Sequence, residues 1–228
     1  MSDLHGMLPE IEESFDIMLL AGDLVDLHKQ SSKDATIEWY SKDFVDWING
    51  LPFNDENSKV IWIAGNHEVA FYDLGNMLRL SFAKEIEDLT NGRAIYLEDS
   101  YAIINGIKIY GTPWCKVFGY WAFMRSNDVL VQYYDKIPEG VDILLTHDAP
   151  YGTSDMCYGW YKKPEHIGNI PLRDAIIKKK PKLCLHGHLH SSNHDEEKLE
   201  DTIVRNVSLV DEAYDISYPP LVFYYKID

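Results

Sequence analysis

Ile17-Met18-Leu19-Leu20-Ala21-Gly22-Asp23-Leu24-Val25-Asp26 is the stretch whose reading decides the fold. Its first five residues form a continuous apolar run, as a strand buried on both faces requires. The run ends at a glycine followed by a carboxylate. A carboxylate has two oxygens, so Asp23 can bond a cation on each side and hold two divalent ions about 3.5–4 Å apart. Taken alone, a Gly-Asp after a strand is only a turn.

The pattern recurs. Val60–Ala64 runs into Gly65-Asn66-His67-Glu68, Val141–Thr146 into His147, and Leu183-Cys184-Leu185 into Gly187-His188-Leu189-His190. Carboxyl ends of strands in α/β sheets line one crevice, so these polar groups are expected to converge. Asp, His and Asn are ligands of intermediate hardness, suited to Mn, Fe, Zn, Ni or Co. A lone buried histidine is more often a satisfied core residue, and His188 and His190 alternate as strand neighbours do. With Asp3-Leu4-His5 there are five such clusters in order, which a packing explanation does not cover.

The chain has 228 residues, 46% hydrophobic and 25% charged, which suits one globular domain over 1–228. A net charge of −16 argues against binding long nucleic acid, which needs Lys and Arg to replace counterions. It also supplies no polybasic membrane anchor. Cys115, Cys157 and Cys184 are an odd number without metal spacing and read as reduced thiols. No signal peptide or membrane-spanning run is recognisable, so a cytoplasmic location is expected.

Leu8, Ile11 and Phe15 have helical spacing. A helix capped by Ser31 or Ser32 is predicted to run to about Gly50, with Ile37, Tyr40, Phe44 and Ile48 on one face. Another is predicted over 76–90, with Leu78, Phe82, Ile86 and Leu89 inward, and further helices over 126–135 and from Asn169 to Lys180. Asn105-Gly106 joins a hairpin of 101–104 and 107–110. Residues 150–165 read as loop, and terminal strands are expected near 202–208 and 221–227.

Asp3-Leu4-His5, Gly22-Asp23-Leu24-Val25-Asp26, Gly65-Asn66-His67-Glu68, His147 and Gly187-His188-Leu189-His190 together resemble the signature of the calcineurin-like metallophosphoesterase superfamily. Lys108–Trp114 with Trp121-Ala122-Phe123, and Leu144–Gly152, are similar to its MPPED-type branch, which includes cyclic-nucleotide phosphodiesterases. The resemblance implies two mixed β-sheets packed face to face, with helices on both outer faces. It implies one metal on Asp3, His5, Asp23 and His190, and a second on Asp23, Asn66, His147 and His188. His67 would be the catalytic acid, oriented by Asp26. The chain departs from the pattern at its start: only Met1 and Ser2 stand where relatives have a first central strand, which is therefore expected to be missing.

The expected reaction is hydrolysis of a small phosphoester by a metal-bridging hydroxide, with His67 protonating the leaving oxygen. Protein phosphatases of the superfamily follow Gly-Asp-x-x-Asp with an arginine, whereas Leu27-His28 follows here, so phosphodiesters, cyclic nucleotides among them, are favoured over monoesters. The alternatives are a phosphomonoesterase or protein phosphatase and a non-catalytic scaffold of the same fold. Trp114, Tyr120, Tyr151 and Trp160 are candidates to stack on a base, with core packing the other reading. His28 is a candidate substrate contact or a plain loop histidine.

Overall fold

The structure, a computed structural model, describes residues 1–158 and 163–225. In chain order the elements are β1 (Ile17–Ala21), α1 (Lys33–Trp39), a π-helical turn (Tyr40–Phe44), α2 (Val45–Asn49), β2 (Lys59–Ile63), α3 (Val69–Tyr72), α4 (Asn76–Leu89), β3 (Ala94–Tyr96), β4 (Ser100–Ile104) and β5 (Ile107–Thr112). They continue with β6 (Cys115–Lys116), β7 (Met124–Arg125), α5 (Asn127–Tyr134), β8 (Ile143–Thr146), β9 (Met156–Tyr158), β10 (Pro164–His166), α6 (Ile170–Lys179), β11 (Leu183–His186), β12 (Glu197–Leu199) and β13 (Thr202–Asn206).

One sheet has the order β1-β2-β3, all parallel, and the other is β12-β13-β11-β8-β5-β4. In the second sheet β5, β8, β11 and β13 run parallel, while β4 and β12 are antiparallel edges. Alternation along each strand separates two cores. Leu19, Ala21, Ile61 and Ile63 meet Ile109, Ile143, Leu145, Leu183 and Leu185 between the sheets. Met18, Leu20, Val60 and Trp62 turn the other way, onto Tyr40, Phe44, Ile48 and Phe82 of the helices. On the far side Tyr110, Leu144 and Cys184 belong to the helix-facing core that includes Leu130, Tyr134, Leu172 and Ile176. The mixed α/β sandwich expected from the sequence is thus present, and it is covered by helices on both outer faces.

Only Met1 and Ser2 lie between β1 and the segment after β13. The Met1 amino group donates to Leu19 O (2.8 Å), Ala21 N to Met1 O (2.9 Å), and Leu209 N to Ser2 O (3.1 Å). Asp3 therefore enters the site from a sheet-like position tied on both sides.

Several expectations need correction. Residues 7–16 are not helical. That stretch must return the chain from the carboxyl end of β1 to its start, and an extended path covers the distance in fewer residues than a helix. On α4, Arg79, Phe82, Ala83 and Ile86 face inward, while Leu78 is 59% and Leu89 44% exposed. Arg79 sets this rotation, because its guanidinium pairs with both Glu98 oxygens (2.8 and 2.6 Å). The presumed loop 150–165 contains the β9–β10 pairing. Residues 221–225 form no strand; Leu221 and Tyr225 instead pack on the inter-sheet core and border a cavity of about 330 Å³. The rest of that expected strand lies outside the described residues. The Asn105-Gly106 hairpin is as expected, with both residues at positive φ. No helix among the described residues is long and apolar enough to cross a membrane.

Candidate metal centre

Strands β1, β2, β8 and β11 end at Gly22-Asp23, Gly65-Asn66, His147 and Gly187-His188; parallel pairing aligns these ends within each sheet, and His147, bonded to Ala21 O, joins the two sheets at one rim. Two groups of ligand atoms result. Asp3, His5 and His190 form one, and Asp23, His147 and His188 the other; within each, the ligand atoms lie within 4.8 Å of one another. Asn66 joins the second, its Oδ1 lying 3.0 Å from His147 Nε2, which is 3.1 Å from Asp23 Oδ2. In the first, His190 Nε2 is 3.4 Å from Asp3 Oδ1. The carboxylate of Asp3 also accepts from His188 N (3.1 Å), which links the two groups.

The backbone is bent to make this possible. Asp3, His5, Asp23 and His188 all have positive φ, between 44° and 68°. Non-glycine residues pay of order 1–3 kcal/mol for such conformations and keep them only where surroundings dictate it. Here the determinants are Asp3 N→Gly22 O (3.0 Å), His5 N→Asp23 O (3.0 Å) and a carboxylate beneath the loops. Glu68, fully buried, accepts from the N–H groups of Asp23 (3.0 Å), Leu24 (2.7 Å), Val25 (3.0 Å) and Gly65 (2.5 Å), and from Tyr40 Oη (3.2 Å). Burial and the charge of Asp23 push its carboxyl up to about 7, while the backbone N–H groups pull it down. Gly65 has no substitute: a Cβ there would lie 2.3 Å from Asp23 Oδ1.

The histidine tautomers suit cation binding. His147 Nδ1 donates to Ala21 O (2.8 Å) and His190 Nδ1 to Asp211 O (3.1 Å), leaving each Nε2 facing a carboxylate. Both ring nitrogens of His5 are buried with no hydrogen-bond partner. A buried unpaired polar atom is costly, and a cation among Asp3, His5 and His190 would satisfy one of them. Burial pushes the Asp3 and Asp23 carboxyls up, yet the imidazoles of His190 and His147 outweigh it and hold both well below the usual range. Burial likewise pulls His147 down, but Asp23 and Asp3 raise it to about 10. Two buried carboxylates thus favour positive charge beside them, as expected of a site built for cations. The donor set fits divalent metals.

His67, on the loop after β2, lies with Nε2 4.0 Å from Asp23 Oδ2, and its backbone N–H donates to Asp23 Oδ1 (2.7 Å). Asp26 is not its partner. The Asp26 carboxylate accepts from His28 N (2.7 Å), closing its own turn, and that turn returns Gln30 to place Oε1 2.7 Å from His67 Nδ1. Gln30 was missed because a glutamine in a polar loop carries no motif.

The expected aromatic contacts also change. Trp114 is 4% exposed, with Nε1 donating to Asp99 (2.9 Å) and its ring covered by Arg125, so it belongs to the core. Tyr151 packs against His166 and Arg173, and His28 is exposed with its bond to Asp26. Tyr120 is fully exposed, and Trp160 lies outside the described residues. The rings beside the site are Trp121 on His67 (4.5 Å between centroids), Phe118 on His188 (5.0 Å) and Tyr214 on His5 (4.8 Å). Trp121 and Phe118 lay within an aromatic run visible in the sequence, whereas Tyr214 carried no local signal.

Comparison with known proteins agrees with this geometry. The chain is 30% identical over 240 residues to human metallophosphoesterase domain-containing protein 1, covering 97% of this chain and 68% of that one. It is 29% identical to UPF0046 protein C25E10.12 of Caenorhabditis elegans, covering 96% and 76%. Its fold resembles phosphopantetheinyl hydrolase of Mycobacterium tuberculosis, with a TM-score of 0.54 at 13% identity over 93% of this chain and 89% of that one. TT1561 of Thermus thermophilus is similar at a TM-score of 0.53 and 16% identity, over 85% and 76%. The family profile of calcineurin-like phosphoesterases matches residues 1–192, and the chain belongs to that family.

Proposed function

We propose that this metal-dependent phosphoesterase acts on small phosphodiesters, cyclic nucleotides among them, with His67 as the general acid. The observation that carries the diester reading is where the guanidinium groups go. Arg79 is bonded to Glu98, Arg93 to Asp55 O and Ser58 O, Arg125 to Tyr72 Oη, and Arg173 to Asp174. Arg205, the remaining arginine, lies near His194. None is among the contacts of the two ligand groups. A monoester dianion asks for extra cationic donors, whereas a diester carries a single charge and needs fewer.

Asp3, His5 and His190 would hold one ion, Asn66, His147 and His188 the other, with Asp23 between them. Such ions, of Mn, Fe, Zn, Ni or Co, would offset charge on the phosphoryl oxygens and supply an ionised water near neutral pH. The protein's own contribution is at His67. Gln30 accepts from Nδ1–H, so the proton is exchanged at Nε2, the nitrogen nearer Asp23. An amide oxygen accepts that bond whether the imidazole is neutral or charged, so the ring keeps its orientation through turnover.

A panel of cyclic nucleotides, aryl diesters and aryl monoesters, run after chelation and reloading with Mn, Zn, Ni or Fe, tests this reading. Diester hydrolysis exceeding monoester hydrolysis supports it. Turnover of monoesters alone would overturn the diester preference, and no turnover with any metal would favour a scaffold.

A further inference from the structure

We propose that Trp121 and Tyr214 form a subsite that stacks on a nucleobase attached to the phosphoester, on the His67 side of the centre. The floor of the site is strongly polar: two buried carboxylates and the imidazoles of His5, His147, His188 and His190. Its rim is aromatic. Trp121 is 41% exposed while its ring lies 4.5 Å from that of His67, tilted by 37°. Tyr214 is 36% exposed and sits edge-on to His5 (4.8 Å), His190 (5.3 Å) and His67 (6.2 Å). The imidazole of His67 is thus contacted by both rings, and its Nε2 is where the ester's leaving oxygen must come. A large group attached to that oxygen has to pass against Trp121 or Tyr214.

Neither ring is spent on the core, and an exposed aromatic beside a charged floor calls for a ligand with both characters. Tyr214 is also fixed in advance. Its residue has a φ of 64°, and its N–H donates to Asp211 O (3.0 Å), the same carbonyl that accepts from His190. The Asp211 carboxylate in turn accepts from Ala213 N (2.9 Å), Asp215 N (3.2 Å) and Ser217 Oγ (2.9 Å). A ring held this way loses little freedom on binding. The hydroxyl of Tyr214 has no hydrogen-bond partner among the described residues, so it is available to a polar edge of the base.

The inference rests on the phosphoester reading for which end of the ligand meets the metals, and its test does not require turnover. The manganese-loaded protein is titrated calorimetrically with adenosine 5′-monophosphate and with methyl β-D-ribofuranoside 5-phosphate, in which a methoxy group stands in place of the base. Stacking contributes about 1–3 kcal/mol per base. Wild type is therefore expected to prefer the nucleotide by about five- to 150-fold. In the Trp121→Leu, Tyr214→Leu double variant that ratio is expected to fall to near one, and Trp121→Phe with Tyr214→Phe to restore most of it. Equal binding of the two ligands by wild type would overturn the subsite, as would an unchanged ratio in the double variant. A base preference in a protein that hydrolyses no diester would sink the diesterase reading and leave the subsite standing.

Discussion

Glu68→Gln is the most informative single change outside the ligand set, because one carboxylate organises the two loops that carry Asp23 and Asn66. Oε1 accepts from Leu24 N, Val25 N and Tyr40 Oη, and Oε2 from Asp23 N and Gly65 N. An amide can keep the oxygen toward one set only, and its NH₂ group then faces N–H donors. Kept in the less damaging orientation, the variant leaves the Asp23 and Gly65 donors unsatisfied in the interior. Each costs about 1–3 kcal/mol, so the loss is about 2–6 kcal/mol. For a chain of this size 1 kcal/mol moves Tm by about 2–4 °C, so a fall of at least about 4 °C is expected. Thermal unfolding of the manganese-loaded protein, in which bound cations would offset the Asp23 charge that raises the Glu68 carboxyl, measures it, with Tyr40→Phe as the comparison. That variant loses one bond while Oε1 keeps two donors, and should cost about 0.5–1.5 kcal/mol. A Glu68→Gln protein melting within 1 °C of wild type, or a Tyr40→Phe protein losing more than it, would refute the reasoning.

Gln30→Leu removes the group that orients His67, so kcat for esters with poor leaving groups should fall by about 10-fold or more with little change in KM; a leaving-group series checks this, and a uniform loss across the series would contradict it. His67→Asn should retain its metals by elemental analysis yet slow the same poor substrates; unchanged turnover would remove His67 from the mechanism. Gly65→Ala places a Cβ 2.3 Å from Asp23 Oδ1 and should lower the metal content of the protein, which the same analysis reads. Burial lowers His186 to about 4 from an ordinary 6.5, with Nε2 unpaired. Its neutral form therefore stabilises the fold above pH 6.5, and about 3 kcal/mol is lost as pH falls to about 4. Denaturant titrations should show wild type losing about 3 kcal/mol more than His186→Phe between pH 7 and about pH 4; parallel losses in the two proteins would count against it.

Much of this was readable from residue order because it rests on local rules. Five apolar residues stopped by Gly-Asp read as a buried strand ending in a turn, and repetition at Gly65, His147 and Gly187 turned that reading into a rim of ligands. Asn105-Gly106 marked its own hairpin. What stayed hidden depends on tertiary partners. Arg79 points inward only because Glu98 waits there, and that rotates Leu78 and Leu89 out to solvent. Gln30 stands at His67 where Asp26 was expected, because the turn that Asp26 closes on His28 N carries Gln30 there. Trp114 and Trp121 look alike in the sequence, yet Asp99 and Arg125 draw the first into the core while the second is left at the mouth. Tyr214 reaches the site from the far end of the chain through a loop closed on Asp211, which no spacing announces.

The central claim is that the rim cages a pair of cations. Anomalous diffraction from crystals loaded with manganese or zinc tests it most directly. Two peaks about 3.5–4 Å apart with Asp23 touching both are predicted, falling to one or none in Asp23→Ala. A single ion in the wild-type protein, or two ions that persist without the Asp23 carboxylate, would contradict it.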